Sequence, residues 1–356
     1  MELQSSNSNN SDNTNTEQSK LKKGLQILIS IIVIALCLYY AIKDIDFATL
    51  WNIILSANYI WALLSIPVIV LSHWVRALRW RRILKPIKEV KSIYPLFSSV
   101  MIGYAMNAIT PRGGEFVRPF SFSRREKVSY SASLATIVVE RVIDLVTLFL
   151  LLAGTFIFLS HKITQALPDS FDTNRIILYG GLILGVIMLA LYPPVIKFLL
   201  RMLIKPLSLK FYNKLSDIFE KFLVGLSIIK KPKEYLWLII ESISIWLLYA
   251  LPMFFMFYSF NFQISHSLGF DDAVLLLVVS GVVTTFAPTP GSLGVYHVII
   301  QGALVSLYGI SPADALAYAT LTHAINYLVQ LLLGGWYFLK ENSMKNSKLY
   351  YNSKAN

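Results

Sequence analysis

Three ionisable residues, Glu140, Arg141 and Asp144, stand inside the apolar run SLATIVVERVIDLVTLFLLL. Helical spacing puts Glu140 and Asp144 on one face, four residues apart, with Arg141 three residues before Asp144. Each such charge costs about 2.5–3.5 kcal/mol at the centre of a membrane helix. They are therefore expected to face protein or a wet cavity. There they could meet cationic or hydroxyl groups of a substrate, exchange protons, or form an ion-pair cluster in which Arg141 bridges the carboxylates or pairs with Glu115. Just upstream, an apolar segment stops at Thr110-Pro111-Arg112-Gly113-Gly114-Glu115 and continues through Arg118. Proline removes a backbone donor and glycine permits a sharp turn. Amides freed at the start of the following half-helix would suit a phosphate. Arg112, beside the break, is expected to reinforce that site. Arg118 reads either as a second phosphate contact or, as is commoner for a single arginine near a membrane edge, as an anchor reaching the headgroups.

A second break lies at Ala287-Pro288-Thr289-Pro290-Gly291-Ser292-Leu293-Gly294, with His297 close behind. The last apolar run carries His323, Asn326 and Gln330 at helical spacing, a polar stripe expected to line a cavity. His297 alone reads first as a packed, hydrogen-bonded residue. Glu241 and His73 are further polar intrusions for which the sequence offers no obvious partner.

The elements that must position these residues are membrane spans. Of 356 residues, 55% are hydrophobic, and mean hydropathy is +0.58. Several apolar runs approach the ~20 residues needed to cross a bilayer. Spans are expected near 24–42, 58–78, 131–160, 174–198, 235–260 and 312–339, with broken hairpins over 93–110 and 271–308. Residues 43–57 and 205–230 read as helices lying on the membrane surface, the first by the spacing of Phe47, Leu50, Trp51, Ile54 and Leu55. Pro67 is expected to kink the second span. LCLYYAIKD offers no signal-peptide cleavage site, so the first span is expected to stay. Residues 1–19 read as a disordered tail, 20–160 as a first repeat, 161–340 as a second, and 341–356 as a flexible tail.

Each half thus reads span, interfacial helix, span, broken hairpin, span: an all-α polytopic protein of two inverted repeats. Charge supports the sidedness. With both termini cytoplasmic, 27 of the 32 Lys and Arg fall on the cytoplasmic side, only Lys43, Lys162 and Arg175 fall outside, and Arg112 and Arg141 remain at depth. That asymmetry is the positive-inside pattern of a cell-membrane protein. Broken segments at matching positions of inverted repeats mark the midplane site of many secondary transporters.

Walker A and HExxH patterns are absent, and the single cysteine, Cys37, excludes both an intrachain disulfide and a multi-cysteine zinc site. No cofactor or metal is expected. The +12 formal charge is explained by topology and does not call for nucleic acid. Gly180-Gly181 and Gly334-Gly335 fit close helix packing.

TPRGGEFVRP, VVERVIDL and APTPGSLGVYH resemble the transmembrane domain of lysylphosphatidylglycerol synthases and of stand-alone flippase-like proteins that share it; the resemblance covers about 24–340. It implies movement of lipid between leaflets, with Arg112 to Arg118 and Glu140 to Asp144 along the headgroup path. The chain ends at Asn356 without a soluble synthase domain, so lipid aminoacylation is not expected of it. The expected activity is ATP-independent transport of an anionic, aminoacylated or polyprenyl-linked lipid. The rival readings are a membrane-embedded headgroup enzyme and a non-transporting glycosyltransferase partner. The protein partners considered are a lipid-modifying enzyme and a second copy of the chain.

Overall fold

The computed structural model describes residues 24–25, 28–43, 45–165, 173–191, 193–206, 208–209, 211–213, 215–217 and 232–354. The expected tail over 1–19 and most of the amphipathic segment over 205–230 lie outside them. The described residues form helices and connecting turns with no strand. The helices are α1 (Leu28–Ile42), α2 (Phe47–Ser56), α3 (Tyr59–Leu84), α4 (Tyr94–Ile109), α5 (Gly114–Glu126), α6 (Tyr130–Phe158), α7 (Ser160–Gln165), α8 (Thr173–Leu191) and α9 (Pro193–Leu199), followed by α10 (Pro232–Ser259), α11 (Phe262–Ser265), α12 (Phe270–Phe286), α13 (Val295–Tyr308) and α14 (Pro312–Lys354).

Their outer faces are apolar. Ile60 and Leu63 of α3, Ile239 of α10 and Leu332 of α14 are each more than half exposed, a surface that belongs in lipid rather than water. Stretches Tyr59–Leu84, Glu234–Ser259, Pro290–Tyr308 and Pro312–Ser343 are long and apolar enough to cross a membrane. α6 has 29 residues, about 44 Å at the helical rise, and carries its charges inward. α2 turns 85° from α1. The Asp46 carboxylate caps it, accepting from the Thr49 amide at 2.8 Å. Leu50 faces the protein while Phe47, Trp51 and Leu55 face out, as an interfacial helix requires.

Both breaks fall where the sequence placed them. The first separates α4 from α5. The second separates α12 from α13 and contains Gly291 (φ 55°) and Gly294 (φ 79°), both in the left-handed region. Two buried clusters make up most of the core: one of Trp80, Leu84, Leu96, Met101 and Phe122, with Leu333 and Tyr337 of α14 packed against it, and one of Met256, Phe257, Leu276, Ile300 and Tyr318, which Ala62 of α3 joins.

Two expectations need correction. α3 does not end near residue 78 but runs to Leu84, so Arg79, Arg81 and Arg82, beyond the expected span, lie on the same helix as Arg76. The last helix continues past residue 339, and Glu341 on it is tied to Arg125 at 3.3 Å and to the Ser121 hydroxyl at 2.9 Å.

α14 crosses α4 where Gly334 meets Met101. A Cβ there would lie 2.2 Å from the Met101 carbonyl oxygen, whereas one on Gly335 would meet nothing within 4 Å. Gly334→Ala is therefore expected to destabilise the fold by about 1–3 kcal/mol through overpacking. Gly335→Ala should be neutral or stabilising by up to ~1 kcal/mol of helix propensity. Thermal unfolding of the two variants in detergent, side by side, checks this.

Candidate functional site

On α3, Ser72, His73, Arg76, Arg79, Trp80 and Ile83 form one buried face, the 3.6-residue period of a helix turned inward. Two arginines on that face meet the acidic face of α6. The Arg76 Nε donates to Glu140 Oε1 at 2.6 Å, and its Nη2 pairs with Asp144. Arg79 Nη2 donates to the other Asp144 oxygen at 2.5 Å and lies 3.7 Å from Glu140. Arg118, from α5, completes the centre with a two-pronged grip on Glu140 at 3.0 and 2.9 Å. Such paired N–H···O bonds are the strong geometry for arginine and carboxylate. Glu140 is fully buried, about 15 Å along α6 from its first residue by the helical rise.

Neutral groups meet several of the remaining arginine N–H groups. Arg76 donates to the hydroxyls of Tyr104 on α4 (2.5 Å) and Tyr249 on α10 (2.8 Å), which lie 3.0 Å from each other. Arg79 donates to Ser242 on α10 at 3.1 Å. The Arg118 guanidinium stacks over the Trp80 ring at 4.1 Å, and the Trp80 indole donates to Thr136 at 2.9 Å. Five helices thus converge on two carboxylates.

At the rim the chemistry loosens. Arg141 reaches Glu115 at 3.3 Å and Asp144 at 3.5 Å, and the Arg141 and Glu115 side chains are 39% and 32% exposed. Together with Tyr104, Asn107 and Arg118 they line a cleft of about 10 Å³, room for about one water. Four guanidiniums (Arg76, Arg79, Arg118, Arg141) face three carboxylates (Glu115, Glu140, Asp144). The centre carries one positive charge in excess, which an anion would neutralise.

The same ladder of bases extends outward along α3. Arg82 pairs with Glu241 at 2.7 Å and Glu234 at 3.1 Å, and Lys85 with Glu234 at 2.8 Å. Glu241 is thereby partnered. His73 stacks on Tyr104 at 4.2 Å.

The first break is arranged differently from expectation. Its amides are already taken: Gly114 N–H donates to Asn107 Oδ1 at 2.8 Å, Glu115 N–H to the Arg112 carbonyl, and Phe116 and Val117 N–H to that of Gly113. No free nest for phosphate exists there, because the turn closes on itself through Thr110, whose carbonyl accepts from Gly113. Arg112 takes the left-handed conformation (φ 55°) with its side chain exposed. The buried arginine is Arg118, which is neither an interfacial anchor nor free. Pro111 is exposed at the tip.

At the second break, His323 Nε2 donates to the Gly291 carbonyl at 2.9 Å, and Tyr327 donates to the Ala108 carbonyl beside the first break at 3.0 Å. Ser30 of α1 donates to the Pro288 carbonyl at 2.7 Å. The two hairpin tips therefore meet. His297 and Thr289 are buried, and the Pro290–Ser292 turn packs against α4. Asn326 is exposed and accepts from Gln330 at 3.1 Å. The polar stripe on α14 splits, with His323 turned to the hairpin and Asn326 away.

Sequence reasoning found Glu115, Glu140, Arg141 and Asp144 but missed Arg76, Arg79, Tyr104 and Tyr249. The signal for the arginines was their spacing with Arg82 at every third residue, within a segment that also carries apolar residues.

An all-α polytopic membrane protein with a buried charged centre is the class these features define. The model of the lysylphosphatidylglycerol synthase transmembrane region matches residues 27–334, and the chain belongs to that family. It is similar to a UPF0104 membrane protein of Pyrococcus horikoshii, 25% identical over 341 residues, covering 91% of this chain and 98% of that one. A UPF0104 membrane protein of Methanocaldococcus jannaschii is 24% identical over 302 residues, 80% of this chain and 85% of that one. Glycosyltransferase AglD of Haloferax volcanii is 23% identical over 292 residues, 75% of this chain but 46% of that protein.

Proposed function

We propose that this protein moves a phospholipid or a lipid-linked saccharide between leaflets of the cell membrane, without ATP, by alternating exposure of the charged centre. The observation that carries this reading is the excess positive charge around Glu140 and Asp144, beside a small cleft at the loosely paired Arg141 and Glu115. Ionisable groups at this depth mark substrate paths by default. A lipid phosphate would enter at Arg141, drawing it from Glu115, while Glu115 would meet an amine or hydroxyl of the headgroup. The cleft holds about one water in this arrangement, so the helices must part to admit a headgroup.

Two inverted repeats are part of the proposal, and the packing is consistent with them. Elements at matching positions make matching contacts: α3 against α10, α4 against α14 as α12 against α6, α5 against α6 as α13 against α14. Both termini are taken as cytoplasmic, from the basic residues that follow α3 and α5.

The test is reconstitution into liposomes with headgroup-labelled lipids, followed by leaflet accessibility. Arg141→Gln and Glu115→Gln remove a half-exposed pair worth about 0–1 kcal/mol of stability. They are expected to leave the folded yield unchanged and slow lipid exchange at least about tenfold, a loss of ~1.4 kcal/mol of binding. If purified wild-type protein moves none of a broad lipid panel, the transport reading fails.

The likeness to a protein named as a glycosyltransferase, across 46% of that protein, favours a second reading: a membrane partner that serves a glycosyltransferase. In that case the Arg141 and Glu115 variants would keep full cellular activity.

A further inference from the structure

We propose that His297 and His323 form a proton site that latches the second hairpin, sealed when both rings are neutral and released when one is protonated. The other titratable groups in the helical core are already committed. Glu140 is held by Arg76 and Arg118, Asp144 by Arg76 and Arg79, Glu241 by Arg82, and Asp272 by Lys162 at 2.6 Å. A proton on His73 would sit beside Arg76 and Arg118. The pair at the second break has none of these constraints.

His323, on α14, donates its Nε2–H to the Gly291 carbonyl at 2.9 Å, an oxygen exposed by the unwound turn. His297, in the first turn of α13, lies 4.9 Å away ring to ring. It is 93% buried by side-chain packing around it, and its Nδ1 has no hydrogen-bond partner, nor has the buried Thr289 hydroxyl. The ionisable groups facing the pair are Tyr296 of α13, 6.1 Å from His297 and 5.2 Å from His323, and Tyr327 of α14, 5.7 Å from His323. Cys37 of α1 packs against Gly294. Among the described residues, no lysine, arginine or carboxylate of α1, α4, α12 or the turn pairs with either imidazole.

An imidazolium sealed here would have no counter-ion and too few acceptors, and burying an unpaired charge is far costlier than burying a neutral ring. Protonation and sealing therefore compete. A ligand that binds one conformation better than the other shifts the balance between them by its differential affinity. The proton is such a ligand, and histidine is the side chain suited to it near neutral pH. Unwound backbone and half-helix ends hold the coupling ion in transporters built from broken helices. Here the division is by charge: the first hairpin gathers cations for an anionic headgroup, and the second leaves space for a proton. Coupling of this latch to lipid movement rests on the transport reading above; the latch itself does not.

Cys37, the single cysteine, reports on the latch without engineering. In full-length protein in nanodiscs, its labelling by a membrane-impermeant maleimide is compared with glutathione at each pH. The normalised rate is expected to rise about tenfold between about pH 8 and pH 5, the change expected for one unit of difference in proton affinity between the two arrangements. His323→Gln keeps a donor for the Gly291 carbonyl but cannot titrate, and it should be flat, as should His297→Gln. A flat wild type, or variants that still respond, overturns the proposal. Should a variant fail to fold, the imidazole nitrogen shifts of the wild-type chain decide: no ring titrating over that range overturns it too. In proteoliposomes with fluorescent phosphatidylglycerol, exchange that ignores an imposed pH gradient while Cys37 labelling stays flat defeats the latch alone. Labelling that responds while no lipid moves defeats the transport reading alone.

Discussion

Replacing Glu140 with glutamine is expected to destabilise the folded protein by about 3–5 kcal/mol, the usual cost of breaking a buried ion pair by removing one partner. Glutamine keeps the shape and can still accept a hydrogen bond, so volume is not the issue. What changes is charge. Arg76, Arg79 and Arg118 converge on Glu140 within 2.6 to 3.7 Å, and all three are buried. With the carboxylate neutralised, Arg118 would keep no carboxylate partner, and Arg76 and Arg79 would have Asp144 alone, which Arg141 also reaches. The penalty of a dry, uncompensated charge then exceeds anything the lost contacts themselves contributed. The expected observation is a sharp fall in the melting temperature and monodisperse yield in detergent. The double variant Glu140→Gln with Arg118→Gln should recover part of the loss, because the second change removes the charge that the first one stranded. If Glu140→Gln melts with the wild type, the centre is hydrated and the pairs around it are not what holds the helices together.

That centre was only half legible in the chain. Glu140 and Asp144 announce themselves because a carboxylate in an apolar run has no cheap explanation. Arg76 and Arg79 do not, because arginines beside a span are first read as topology. Counting them among the cytoplasmic bases satisfied the positive-inside pattern while hiding the counter-charges of the acidic face. The helix boundary decided the matter: α3 runs to Leu84, and Trp80 and Ile83 pull the arginine face inward with them. Arg118 was obscured for a related reason. Its neighbours Arg124 and Arg125 make α5 look like a surface helix, and only the crossing with α4 sends Arg118 towards Glu140. The breaks, by contrast, were fully legible, since proline and glycine fix backbone behaviour locally. Their contents were not. Whether an amide is free depends on a partner such as Asn107, seven residues before Gly114, and spacing alone does not reveal the turn that joins them.

Gly114→Ala is expected to be the second damaging substitution, at about 3 kcal/mol or more, the upper end of overpacking costs. A Cβ on Gly114 would lie 1.9 Å from the Gly103 carbonyl oxygen and 2.6 Å from its carbon. Both are backbone atoms inside α4, so no rotamer change relieves the clash and the two helices must separate. Gly103 is itself tight against Arg118, with a hypothetical Cβ 3.0 Å from the arginine's own. Prising α4 from α5 therefore draws Arg118 away from Glu140 and Trp80, adding an electrostatic loss to the steric one. The neighbouring position supplies the control. A Cβ on Gly113 would come within 2.0 Å of the Thr110 hydroxyl, a side-chain atom that can rotate aside, so Gly113→Ala should cost about 1 kcal/mol, one hydrogen bond's worth. Both glycines have right-handed backbone, Gly113 at φ −61° as the residue before α5 and Gly114 as its first helical residue, so conformational strain does not separate the two variants. Unfolding in detergent measures the difference. Equal melting temperatures for the two would mean that α4 and α5 are not locked at their crossing, and that the first hairpin is free to part there when a headgroup enters.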